Sequence, residues 1–276
     1  MRNVWAICKR ELKSFFTTPV GYVILGVFVA LTGLYFAINF IIYADFTVNP
    51  SEMGFDETPD LEEHMLSPYL VLCGQIIMFI GPLITMRLLA EERNKGTMEL
   101  LLTHPIRDRE IVFGKYAASL VMLLVLTATL IAPLALVLRY SDVEPAVLGF
   151  GLFAVFMMGA AFLSMGLFVS ATSNNQVTAG VLTFAVWLVS WVLGQLGGKL
   201  PEVLTVPEGW PTDAARAMHF VYGLFRGLVT ELPLDAHATT MAQGVVRLQD
   251  VAYYVLCVAF FLFLTLRVLE SRRWRA

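Results

Sequence analysis

The 276-residue chain is 58% hydrophobic and only 15% charged, with a mean hydropathy of +0.71 and a net charge of −3. A soluble domain is nearer half apolar and a quarter charged, so this composition excludes an ordinary water-soluble fold, and the near-neutral balance argues against a nucleic-acid surface. Cys8, Cys73 and Cys257 are dispersed and form no CxxC or Cys/His cluster, which leaves no zinc site and no disulfide framework to infer.

The chain opens on a basic amphipathic stretch. Val4, Trp5, Cys8, Leu12, Phe15 and Phe16 share one helical face, with Arg2, Lys9, Arg10 and Lys13 mostly on the other. Such a helix lies along charged headgroups, with Trp5, Arg10, Lys13, Phe15 and Phe16 as its interface residues; a partner-binding helix is the alternative. The apolar run that follows is longer than a signal-peptide core and lacks a small-x-small cleavage site, so it is expected to remain as a first span.

A membrane-crossing helix needs about 20 mostly apolar residues. Six segments qualify, at roughly 20–43, 69–89, 116–138, 147–170, 177–196 and 251–269. The predicted fold is therefore all-α, a single polytopic domain over 1–276 with six spans. Fourteen of the 19 lysines and arginines fall on the side that carries both termini and five on the other. By the positive-inside rule both termini are cytoplasmic, as an even number of spans allows.

Between spans one and two, Asp45–Glu63 holds seven carboxylates and no lysine or arginine, the composition of a solvated loop on the outer side. The loop after span two has more structure. Span two is expected to run on as a stiff helix through Glu91, Glu92 and Arg93 and to stop at Gly96. Thr97 then caps a short helix bearing Met98, Glu99, Leu101 and Leu102, which Thr103, His104 and Pro105 end, and Asp108 caps the entry to span three. An apolar-tipped helix held outside the membrane between two arms suits docking into another protein's cleft. After span five, Thr212 and Asp213 can start an outer amphipathic helix, with Met218, Val221, Phe225 and Leu228 at helical spacing.

No catalytic constellation is found. The spans carry almost no charge, and Asn39, Gln75, Ser164 and Gln195 are their main polar groups; a proton-driven carrier would place ionisable residues at membrane depth. All four histidines lie outside the spans without metal-ligand spacing, and Ser164 lacks a G-x-S-x-G frame. Gly114-Lys115 is followed by Tyr116, and Arg109 stands where a phosphate loop needs its first glycine. No catalytic residue, metal or cofactor is therefore expected in this chain, and any ATP must bind another chain.

The string from Glu91 to Ile106 with Gly114-Lys115, the start Arg10-Glu11-Leu12-Lys13-Ser14-Phe15-Phe16 with Pro19, the pairs His219-Phe220 and Arg226-Gly227, and the ending Leu269-Glu270-Ser271-Arg272-Arg273-Trp274 resemble class-2 ABC export permeases, in the subgroup related to gliding-motility and nitrous-oxide-operon permeases. The resemblance implies a six-span half-permease of the bacterial inner membrane, paired with itself or a sister permease. It also implies two cytoplasmic ATPases that carry ATP and Mg, with the loop over 91–105 as coupling helix. A non-transporting subunit that passes ATPase motion to a periplasmic partner is the alternative. The cargo is not implied.

Overall fold

The computed structural model describes residues 2–48, 60–94, 96, 107–202, 204 and 212–273, and among them every regular element is helical. Six helical stretches are long and apolar enough to cross a membrane: Pro19–Val48, Glu62–Glu92, Asp108–Tyr140, Pro145–Thr172, Gln176–Gly197 and Leu248–Ser271, here spans one to six. Each extends past its predicted apolar window, because a helix continues into polar residues until something caps or breaks it. The turn between spans four and five is as tight as its polar run suggests, and the Asn175 side chain accepts the Val177 N–H at 3.0 Å to cap span five.

Spans two and four form the centre, with 61% and 56% of their apolar windows buried, against 11–17% for spans one, five and six. The peripheral spans thus keep apolar faces for lipid or another chain. In lipid no water-driven collapse holds helices together, so close packing must. Gly166 of span four shows this: a Cβ there would stand 2.5–2.8 Å from three atoms of Thr85 on span two. Tyr116 of span three donates its hydroxyl to the Ala160 carbonyl of span four at 3.0 Å. Of the polar groups read from the sequence, Asn39 and Ser164 are satisfied within their own helices, by Tyr35 O at 3.0 Å and Ala161 O at 2.6 Å. Gln75 reaches another segment.

Two regions depart from expectation. Span two is not a single stiff helix into the loop: one helix ends at Thr85, residues 86–89 form turns, and a second runs Ala90–Asn94. Pro82 lacks an N–H and weakens the preceding turn. The N–H groups of Leu89 and Ala90, which the break frees, donate to the Ser170 hydroxyl of span four at 3.2 and 3.0 Å, so irregular backbone is tolerated because it is buried in protein. Span three breaks likewise at Leu130, ahead of Pro133.

The second departure lies between spans five and six. The outer helix forms at Thr212–Glu231. Met218 turns partly toward the protein, whereas Val221, Phe225 and Leu228 face outward beside Phe220 and Leu224. The chain then does not run over the surface. Residues 232–242 fold back into the bundle, ending in a short helix, Ala236–Ala242, with Leu234, Ala238, Met241 and Ala242 buried. Span six fastens this inserted segment. Tyr253 and Tyr254 donate their hydroxyls to the carbonyls of Leu232 (2.6 Å) and Leu234 (2.5 Å). Asp250 sits 2.8 Å from His237 Nδ1 and accepts from the Thr240 hydroxyl at 3.2 Å. Below the segment, an apolar cleft of about 550 Å³ separates spans five and six, with Val189, Leu193, Leu234, Tyr253, Leu256 and Phe260 among its walls.

Candidate functional site

The N-terminal helix, Arg2–Thr17, buries Ile7, Cys8 and Phe15, with Val4 and Glu11 half-buried on the same stripe. Trp5 is 67% exposed and does not belong to this stripe; Phe16 meets Tyr22 edge-on, with ring centroids 6.2 Å apart. Because the inward face rests on span three rather than lipid, it is defined by packing: a Cβ on Gly114 would stand 2.8 Å from the Ile7 side chain and 3.1 Å from the Val4 carbonyl. Gly114 therefore lets the two helices touch. Trp5, Lys9 and Lys13 keep the exposed positions suited to headgroups.

The Gly114-Lys115 pair then acquires a second meaning. With the N-terminal helix this close, Lys115, 1% exposed, places its ammonium 3.0 Å from Glu11 of that helix and 3.0 Å from Glu92 beyond the break in span two. Arg10 bridges the same two carboxylates from the surface, at 2.7 Å to Glu11 and 2.6 Å to Glu92. Two cations and two carboxylates thus close a neutral clasp. Burial by itself would raise the Glu11 carboxyl, but Lys115 and Arg10 outweigh it and hold the group below the usual carboxylate range. Further links flank the clasp. Arg87 pairs with Glu91 at 3.0 Å and donates to the Thr18 hydroxyl at 3.4 Å, and the Asn3 amide donates to Glu110 at 3.2–3.3 Å.

The clasp stands at the root of the loop between spans two and three. On one side, Glu91 and Glu92 occupy the helix Ala90–Asn94, which also contains Arg93, and Gly96 follows with φ +66°. On the other, the cap of span three is one residue earlier than expected: Arg107 is extended and its N–H donates to Glu110 at 3.1 Å, so Asp108 is the first helical residue. Thr97, Met98, Glu99, Leu101, Leu102, Thr103, His104 and Pro105 lie outside the described residues.

Sequence reading brought out Glu91, Glu92, Arg93 and Arg10 but not the partnership of Glu11 with Lys115, nor Ser170. The available signals were an acid on the apolar stripe of a basic helix and a lysine one turn inside an apolar run. Among the described residues no group of three or more His, Cys, Asp or Glu side chains could hold a metal ion.

Six spans, an N-terminal interface helix and a charge-fastened loop root define a polytopic membrane permease. The chain belongs to the ABC-2 family transporter proteins, whose sequence profile matches residues 5–211. It is similar to the probable ABC transporter permease protein NosY of Pseudomonas aeruginosa, 25% identical over 280 residues and covering 88% of this chain and 92% of that protein. The NosY protein of Stutzerimonas stutzeri is 25% identical over 225 residues, covering 76% of this chain and 73% of that one. The chain is thus a permease subunit of an ABC transporter, a class that works with an ABC ATPase.

Proposed function

We propose that this chain is the membrane half of an ATP-driven exporter in the bacterial inner membrane. Both termini are cytoplasmic, it pairs with a second copy or a sister permease, and hydrolysis of ATP with Mg occurs on a separate ATPase. The loop over 97–105 is the docking element, with Met98, Leu101 and Leu102 as its apolar tip. The observation that carries this reading is the clasp. Because Glu92 and Lys115 join the two roots of the loop, and Arg10 and Glu11 join both to the N-terminal helix, a push on the loop moves three elements as one body. The break at residues 86–89, with Ser170 beneath it, supplies the joint about which that body turns. Motion therefore reaches spans two and three through charge pairing rather than along one rigid rod. Coupling then requires that the ATPase contact the loop differently in its nucleotide states.

The double variant Leu101→Asp/Leu102→Asp is expected to abolish co-purification of the ATPase while membrane insertion stays intact. Undiminished co-purification would remove the docking assignment. A second reading has its own support: the outer helix presents Phe220, Leu224 and Leu228 at 74%, 61% and 55% exposure, which suits a partner at the end opposite the termini. In that case the subunit transmits motion and moves no cargo. Nucleotide-dependent cargo movement in reconstituted vesicles decides between the two.

A further inference from the structure

The spans carry almost no ionisable group, yet the inserted segment packs one against spans two and five, one turn inside the Gly197 end of span five. Asp235 meets Gln75, which lies thirteen residues from the Glu62 end of span two, roughly 20 Å along a helix. The Gln75 Nε2–H donates to Asp235 Oδ2 at 2.8 Å. On its other side the carboxyl lies against bare backbone of span five, where a Cβ on Gly194 would stand 3.1–3.2 Å from its two oxygens. The second oxygen of each partner, Asp235 Oδ1 and Gln75 Oε1, is buried and has no hydrogen-bond partner. Two buried acceptors without a donor are costly, and a buried carboxylate without a cation is more so.

We propose that Asp235 is a proton-binding site: one proton, taken from solvent at the end opposite the termini and held on Oδ1, is shared with Gln75 Oε1. It closes a cyclic acid–amide pair and satisfies both orphaned oxygens at once. The inserted segment is then seated as a neutral unit, and no other bond changes. The surroundings agree. Spans four and five present no ionisable side chain, and span two presents Gln75. Span six presents Tyr253, Tyr254 and Asp250, the last already engaged with His237 of the inserted segment, and the outer helix contributes Glu231 and Arg226. Burial pushes the Asp235 carboxyl above the usual range, against its own backbone N–H and the Gln75 amide, which pull it down. With the seated value raised, the contribution to seating is full at low pH and is lost as pH rises through that value.

The proposal is independent of ATPase docking, and so is its test. The full chain in lipid nanodiscs is followed by infrared difference spectroscopy with 13C-labelled aspartate and by hydrogen exchange of residues 232–242, corrected for intrinsic rates. Wild type should show a protonated carboxyl band at pH values above the ordinary aspartate range, near about 4, and Asp235→Asn should lack it. Between the ordinary aspartate value and the raised seated value, protection of the segment should fall about tenfold per pH unit, as for one bound proton, and it should level off above that window. It should stay flat in Asp235→Asn, whose carboxamide can make the same cyclic pair. Gln75→Leu removes the proton's second acceptor, so the protonated carboxyl band should shift to the higher frequency of a carboxyl that has lost its hydrogen-bond partner. An unshifted band would show that Oδ1 does not share its proton with Gln75 and would overturn the proposal. So would a missing band, or an Asp235→Asn protein that titrates like wild type, which would assign the transition to His237 and Asp250.

Discussion

At the end that carries the termini, Lys115 is almost wholly buried and lies 3.0 Å from each of two carboxylates. At the opposite end, Asp235 is half-buried beside a neutral amide, with one buried oxygen unmet on each partner. Both sites hold a non-spanning element against the bundle, the N-terminal helix in one case and the inserted segment in the other. The difference is what balances the charge. A cluster balanced by fixed opposite charges is complete as it stands, and losing one member leaves another buried and unpaired. A group balanced only by a proton is conditional on what the solvent supplies. The first arrangement suits a joint that must stay closed while force passes through it, the second a contact that opens.

The largest expected effect comes from breaking the complete cluster. Lys115→Met should cost about 3–5 kcal/mol, since Glu11 and Glu92 would share one half-exposed arginine. Thermal unfolding in detergent measures this, and a loss below about 1 kcal/mol would mean that the cluster holds nothing together. Ser170→Ala comes next. It removes the acceptor for two buried N–H groups at the joint and should cost about 1–3 kcal/mol, with faster amide exchange confined to residues 86–90. The smallest effect sharpens the contrast through its sign. Glu11 titrates below the usual range, so its contribution is complete at neutral pH and is lost as pH falls through the lowered value, below about 4.3. Acid should therefore loosen Arg2–Thr17 while it tightens residues 232–242. Hydrogen exchange across both segments in one sample reads the two trends together; parallel trends would contradict the comparison.

The spans were legible because lipid imposes one requirement, about 20 apolar residues in a row, and Val20 and Val177 each fall one residue after the start of a helix of the right length. The outer helix was legible from Thr212 and its spacing. Trp5 was misplaced because periodicity places it on the apolar face yet cannot say where the seam with span three falls, and that seam is set by Gly114. The unbroken extension of span two was misread because the fate of residues 86–89 depends on a hydroxyl 80 residues away. The inserted segment was missed because Leu234, Ala238 and Met241 are too few and too interrupted to resemble a span, while Asp235 and His237 suggest a surface loop.

The amino-acid order by itself determined that this chain crosses a membrane six times and which side gathers its positive charge, since these depend on local composition against a solvent of fixed thickness. Only the tertiary structure decided that Glu11, Glu92 and Lys115 form one cluster and that Asp235 reaches Gln75. Those contacts join residues 23 to 160 positions apart, and burial, which sets their energy, belongs to the assembled bundle and to no segment of it.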